Sequence, residues 1–438
     1  METDKTTLND LAIFNAEEDF SVFSYIDCTL TSNGREQLRR NLASPLNGME
    51  AILNIQNTIR LIDQKNAQWP KRISNGTIMV IERFYGTVID ALPKQVSQLD
   101  AFTYKLFHSP DYSLMKYSGI HCFDFIKGMK EILSLFVVED CPAPLQQLLL
   151  KVKKLTSIEN LAVVERFEKA ADVPVPQQLQ FAQFARFNYK NKMLELLDIY
   201  SQLDAWWGMG VAMKKYQLVF PEFVDSKEPF MEVKGLYHLL LFSAVPYDIS
   251  LNRKGNFLFL TGANMAGKST FIKSVGISVF LAHTGMGVPA KEMQLSVFDG
   301  LLSNINVMDN ISKGESYFFN EVQRIKATIN KVNDGKKWLI LIDELFKGTN
   351  VQDAMKCSLA VIEGFLKIKN SLFILSTHLY EIGDALKVHT NIHFNYFETT
   401  AEDGQLSFSY QLKDGISNDR LGYLILKREG VVKMLEEL

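Results

Sequence analysis

The sequence comprises 438 residues with a formal net charge of −3, so a grip on nucleic acid would have to come from a local patch and not from the net field. Hydrophobic residues make up 47%, ample for two sizeable cores, and no run approaches the roughly 18 unbroken apolar residues of a membrane span. Cys28, Cys122, Cys141 and Cys357 form no CxxC pair and METDKTTLND is too polar for a signal peptide, which argues against a zinc ribbon and against secretion; a cytoplasmic protein is expected.

From Leu11 to about Tyr216 apolar residues recur three and four apart, as in residues 38–62, and the pattern predicts a mostly α-helical domain over 1–220. Breaks are expected near Asn75-Gly76, at Pro110-Asp111 and from Cys141 to Pro144. Residues 159–169 read as a short extended piece. Residues 177–216 read as one long helix or a helix pair, with Gly208 and Gly210 as weak points. Beyond Pro221 the pattern changes. FLFLT (257–261), WLILIDE (338–344) and LFILST (372–377) are short apolar runs typical of buried parallel strands, with helical stretches between them. The expected architecture of 221–438 is a doubly wound α/β domain with a mainly parallel sheet and ligands at the carboxyl ends of its strands.

The densest chemical signal is TGANMAGKST, where a strand precedes and a helix follows the spacing GxxxxGK[ST]. Glycines let the backbone curl so that successive N–H groups point at phosphates, and the helix adds its positive end. Gly262, Asn264, Met265, Ala266, Gly267, Lys268, Ser269 and Thr270 are therefore the candidate ATP-binding residues. Lys268 would reach the outer phosphates, and Ser269 would ligate Mg²⁺. At the tip of the second apolar run, Asp343 is a candidate Mg²⁺ partner and Glu344 is placed to orient or deprotonate water. Thr377-His378 ends the third run, where His378 could donate to the γ-phosphate. A bare acidic turn or a surface histidine would account for the last two motifs singly; three strand tips together favour the catalytic reading.

Other features carry less. His389 and His393 lie in what reads as a strand, on one face and without a neighbouring carboxylate. The basic clusters Arg35, Arg39, Arg40 and Lys151, Lys153, Lys154 could touch a nucleic-acid backbone, but such clusters are usually solvated helix faces. Trp206-Trp207 reads as packing at a domain junction.

Taken together, TGANMAGKST, HTGMGVPA (283–290), DELFKGTN (343–350) and STHLYEI (376–382) resemble the ATPase domain of the MutS family. ISKGESYFFNEV (311–322) is similar to that family's signature segment, and the resemblance implies that Gly314 and Ser316 act in trans near the γ-phosphate of a second subunit. Residues 24–62, 196–223 and 414–431 resemble the start of the family's core or lever domain, the end of that lever and the closing helical segment. Asp27, Thr29, Gly34, Leu38, Leu42, Pro45, Leu46 and Gln56 sit at matching places. The middle, about 63–195, has no residue-by-residue match. The match begins almost at the lever, so a short form without the mismatch-reading and connector domains, and with a reduced DNA clamp, is expected. Departures include Ala263 in place of a proline, Tyr247 in VPYDIS in place of an asparagine, and Phe346-Lys347 where a glycine and an arginine are usual. The adenine is expected near the Tyr247 loop.

The resemblance implies a homodimer formed through the ATPase domain, double-stranded DNA as partner, ATP and Mg²⁺ as ligands, and Glu344, His378 and Ser316 as catalytic groups. Two rival readings stay open. One is an ABC-like dimeric ATPase, whose long coiled-coil insertion this sequence does not show. The other is an ATP-switched scaffold that does not recognise mismatches.

Overall fold

Wherever the 3.6-residue apolar period persists in the first half of the chain, the computed structural model winds it into helix; the residues it describes are 1–14, 20–89, 97–306, 317–402, 405–417 and 430–436. Contacts divide the chain into two units, Ile26–Ala43 with Leu53–Lys214, and Met1–Tyr25 with Ser44–Ile52 and Lys215–Leu438. The expected boundary lay at 220/221, so the division also sets two short N-terminal stretches with the α/β half. Among the described residues no helix is long and apolar enough to cross a membrane.

The helical unit includes the helices Ser32–Ala43, Asn75–Gly86, Gln98–Phe107, Ser109–Ser134, Ala143–Thr156, Val175–Gln183 and Lys190–Lys215. The expected breaks are helix starts. Ser74 forms a capping box with Thr77, and Pro110 and Pro144 occupy first turns, where a missing N–H costs nothing. Residues 159–169 are not extended. They form a 3₁₀ turn, Glu159–Leu161, and a short helix, Ala162–Arg166, which bury Leu161 and Val164 three residues apart instead of alternating. The long 177–216 stretch breaks at a π-turn, Phe184–Asn188, not at its glycines. The helix runs straight through Gly208 and Gly210 because neighbours approach there. A Cβ on Gly208 would lie 3.0 Å from Thr29 N, and one on Gly210 would lie 3.2 Å from Asp63 Cβ. Trp207 stacks on Trp69, with ring centroids 6.4 Å apart, inside this unit. Arg35 is paired with Asp27 at 2.6 Å and Arg40 lies 3.7 Å from Glu36, so part of that basic cluster is neutralised locally.

The segment Asp27–Arg35 is knotted around one buried acid. Asp204 accepts from Leu30 N at 2.9 Å, Thr31 N at 2.9 Å and Thr31 Oγ1 at 2.6 Å, while Thr31 Oγ1 accepts from Gly34 N at 3.0 Å at the start of its helix. Gly34 is required by contact, since a Cβ there would sit 2.1 Å from Asp204 Oδ2. Burial lifts the Asp204 carboxyl from 3.8 to about 6, although those donors favour its charge. A folded-state pKa above the unfolded one means the native unit binds the extra proton. Its contribution is full below about pH 4 and is lost as pH rises through about 6, at most about 3 kcal/mol. Denaturant unfolding of the wild type and Asp204→Asn at pH 4.5 and 7.5 should therefore show a stability difference that moves against the wild type at the higher pH; a flat difference would contradict this.

Among the described residues the α/β unit holds two sheets. The strands are β1 (Glu222–Val224), β2 (Phe230–Leu236), β3 (Tyr247–Asn252), β4 (Phe257–Thr261), β5 (Glu292–Ser296), β6 (Gly300–Asn304), β7 (Trp338–Asp343), β8 (Ser371–Ser376), β9 (Ile392–Glu402) and β10 (Gln405–Asp414). The smaller sheet has the order β1-β5-β2-β3 and the larger β10-β9-β4-β8-β7-β6, in which only β10 runs antiparallel. Strands β4, β7 and β8 are buried along their whole length, the reason their sequences are unbroken apolar runs. Ile340 and Ile342 of β7 share a core with Ile362 and Phe365 of the helix Val351–Phe365. On the opposite face, Leu341 meets Gly276 of the helix Lys268–His283 so closely that a Cβ would lie 2.7 Å from its Cδ1. Helices thus cover both faces of β7. The N-terminal segment covers the free edge of β6: Glu2 bridges Gly300, and Asp10 accepts from Ser303 Oγ at 2.6 Å and Ile305 N at 3.0 Å. His389 lies outside β9, so it and His393 do not share a strand face.

Candidate functional site

Parallel pairing puts the carboxyl ends of β4, β8 and β7 side by side. Leu260 of β4 pairs with Ser376 of β8, which in turn pairs with Asp343 of β7. The ladder continues past the strands: Thr377 N donates to Leu260 O at 2.9 Å and Glu344 N to Ser376 O at 3.0 Å. The three strand-tip motifs read in the sequence are therefore loops leaving the same end of the sheet.

The loop after β4 turns on glycines with left-handed backbones, Gly262 at φ 137° and Gly267 at φ 109°, and Met265 adopts φ 69° between them. A Cβ at Gly262 would meet Phe397 O at 3.2 Å, so a side chain is excluded on two counts. Lys268, nearly buried, donates to Gly262 O at 2.8 Å and Ala263 O at 2.9 Å. Burial pulls its ammonium down to about 8, against the opposing pull of Glu344 and Asp343. Asp343 is the acceptor for two hydroxyls, Ser269 Oγ on one oxygen and Ser376 Oγ on the other.

Glu344 is held in a left-handed conformation, φ 64°. Its Oε1 lies 2.6 Å from His378 Nε2 and its Oε2 lies 3.1 Å from Lys347 Nζ. Burial alone would raise its pKa; the His378 hydrogen bond and charge, helped by Lys347, more than reverse this and hold the carboxyl at about 2. It is ionised at neutral pH. His378 Nε2 also stands 3.4 Å from Lys268 Nζ. The loop after Glu344 is braced from below by buried Glu321, which accepts from Lys347 N at 3.1 Å and Gly348 N at 3.3 Å. Phe346, just before Lys347, takes φ 59°, strained for a residue with a Cβ, and is held by packing on Phe318 at 5.6 Å between ring centroids.

A cavity of about 480 Å³ opens over these tips, lined by Asn264, Met265, Gly267, Lys268, Ser269, Thr270 and Glu344 on one side and by His238, Leu241, Ser243–Val245, Tyr247 and Tyr410 on the other. That volume suits a ligand of nucleotide size. Tyr247 packs edge-on against Phe271 and Phe397. Tyr410 reaches the cavity from a bulge in β10, where the register with β9 shifts between Phe408 and Leu412 and Tyr410 takes φ 52°. His238 is pulled down to about 4 by burial and by Lys273, so it is neutral at pH 7. Its Nδ1 accepts from Leu240 N at 3.3 Å, leaving the ring proton on Nε2.

Of the residues singled out in the sequence, Lys268, Ser269, Asp343, Glu344 and His378 come together, and Asn264, Met265, Gly267 and Thr270 line the same space. Ala266 is buried behind the loop, and Gly262 serves as a carbonyl acceptor for Lys268. Ser316 and Gly314 lie outside the described residues, as does most of 414–431. Glu321 and Ser376 lie in segments already singled out but were given no role, and His238 and Tyr410 were not anticipated. Ser376 was visible as the polar letter closing the third apolar run. Glu321 works through backbone amides and Tyr410 through a bulge, and neither leaves a spacing to find.

A parallel sheet bearing a glycine-rich lysine loop, an acidic pair and a Ser-Thr-His tip on adjacent strands defines an ATPase-type α/β domain. Residues 258–435 match the MutS domain V. The chain is 26% identical over 291 residues to the DNA mismatch repair protein MutS of Lactococcus lactis subsp. cremoris, 65% of this chain and 34% of that protein. It is 29% identical over 278 residues to the MutS of Pseudothermotoga lettingae, covering 62% and 32%. It is 30% identical over 254 residues to the DNA mismatch repair protein MSH3 of Candida glabrata, covering 56% and 25%. Residues 258–435, the larger part of the α/β half, are thus a domain of the MutS type. The matched stretch spans a quarter to about a third of these relatives' length.

Proposed function

We propose that this chain binds ATP in the cavity over the β4, β8 and β7 tips, hydrolyses it to ADP and phosphate, and uses the nucleotide state to switch a hold on double-stranded DNA, in a repair or recombination role. The observation that carries the reading is the convergence of Lys268, Ser269, Asp343, Glu344 and His378 at adjacent strand tips, with Lys268, Ser269 and Glu344 lining the cavity. Lys268 would exchange the Gly262 and Ala263 carbonyls for β- and γ-phosphate oxygens, and the loop amides would take the rest. The Ser269 hydroxyl and Asp343 carboxylate are hard oxygen donors already in contact, a pair that fits Mg²⁺. The metal, when bound, supplies neutralisation of phosphate charge. Glu344 would take the proton of the attacking water, and His378 would donate to the γ-phosphate. The base would lie toward Tyr247 and Tyr410. Two such sites would form in a homodimer joined through the ATPase domains, with Ser316 of each copy closing the other's site. The helical unit would serve as the lever that follows the nucleotide state.

Binding of the full chain to duplex, mismatched and branched DNA, at 50 and 200 mM salt with and without ATP, tests this. The expected result is an affinity that changes several-fold with ATP and falls steeply with salt. The overall acidity of −3 favours the scaffold alternative, and no DNA binding in either nucleotide state would establish that reading instead.

A further inference from the structure

Glu344 is gripped at both oxygens by two basic side chains that differ in kind. His378, on Oε1 at 2.6 Å, also stands 3.4 Å from Lys268 Nζ, so an anion drawn to Lys268 competes with Glu344 for the His378 proton. Lys347 holds the other oxygen, Oε2, at 3.1 Å. Its backbone is fixed. Its own N–H and that of Gly348 are bonded to buried Glu321, and the preceding Phe346 is buried in the core behind. The two clamps therefore differ: one stands beside Lys268, and the other rises from a backbone held from behind.

Building on the ATPase reading above, we propose that Lys347 is a positioning residue that keeps Glu344 fixed through Oε2 while the γ-phosphate draws His378 away from Oε1. In the step this serves, the water oxygen bonds to the γ-phosphorus and the bond from that phosphorus to the bridging oxygen breaks. The bond's electron pair leaves on ADP, and the water proton passes to Glu344 and then to the released phosphate. A carboxylate freed of both partners would swing among rotamers, and a misplacement of about 1 Å is enough to cost on the order of a hundredfold in rate. Lysine supplies a point charge to a single oxygen, so arginine, which keeps the charge, should substitute and glutamine should not.

The test compares the wild type with Lys347→Gln and Lys347→Arg in the full chain, measuring Mg-ATP affinity by calorimetry and kcat and KM by phosphate release. Lys347→Gln should lower kcat roughly tenfold to a hundredfold while affinity and KM stay within about twofold, and Lys347→Arg should recover most of the loss. A wild-type kcat in Lys347→Gln would overturn the proposal, as would an equal fall of kcat and affinity in both variants. A wild type that takes up no Mg-ATP would instead sink the ATPase reading beneath it, and the proposal with it.

Discussion

Glu344→Gln should leave Mg-ATP binding within about twofold and lower the hydrolytic rate by on the order of a hundredfold to a thousandfold. The substitution preserves shape and one acceptor: Gln Oε1 can still receive His378 Nε2, which lies 2.6 Å from the carboxylate now. What disappears is the negative charge that could take a proton, together with the anionic partner of Lys347. Because the Glu344 carboxyl is held at about 2, its loss should be felt equally from about pH 5 to pH 8, with no acid limb from this group in that range. Single-turnover phosphate release beside calorimetric affinities separates the two effects. Hydrolysis at the wild-type rate would show that water is activated elsewhere.

Lys268→Ala should weaken ATP binding by roughly a hundredfold, the equivalent of about 3 kcal/mol for losing charge-assisted bonds to phosphate. In the free protein the ammonium is occupied by Gly262 O and Ala263 O, so the loop is already shaped around a cation that the phosphates would inherit. Only the charged form can grip phosphate strongly. With burial holding Lys268 at about 8, affinity in the wild type should decline as pH rises through that value, and the alanine variant should lack this decline. An unfolding midpoint for the variant guards against a simple loss of structure, since the two carbonyls lose their donor. Unchanged affinity in a folded variant would contradict the phosphate role.

The α/β half was legible in the sequence to the extent that its strands are buried on both faces. FLFLT, WLILID and SLFILS are all-apolar or nearly so because no face meets water. Strands such as β3, with every second residue exposed, carry the same backbone in a pattern that short loops imitate, and the sheet of β1, β5, β2 and β3 was not foreseen. The site was legible where backbone geometry demands a residue type: glycine at φ 137° and 109°, and acids and a histidine where strands end. It was not legible where distant chain segments meet. Nothing near Asp10 announces that it bonds to Ser303, or near Glu321 that it braces Lys347 and Gly348. Phe346 shows the limit of local rules. A left-handed φ of 59° asks for glycine, and a buried aromatic occupies it because packing on Phe318 offsets the strain.

Calorimetric titration of the purified wild-type chain with ATP in the presence of Mg²⁺ is the most direct test of whether the tips of β4, β8 and β7 form a nucleotide site. The account predicts saturable uptake of one ATP per chain that weakens markedly when Mg²⁺ is chelated. No measurable uptake by folded protein, with or without the metal, would contradict it.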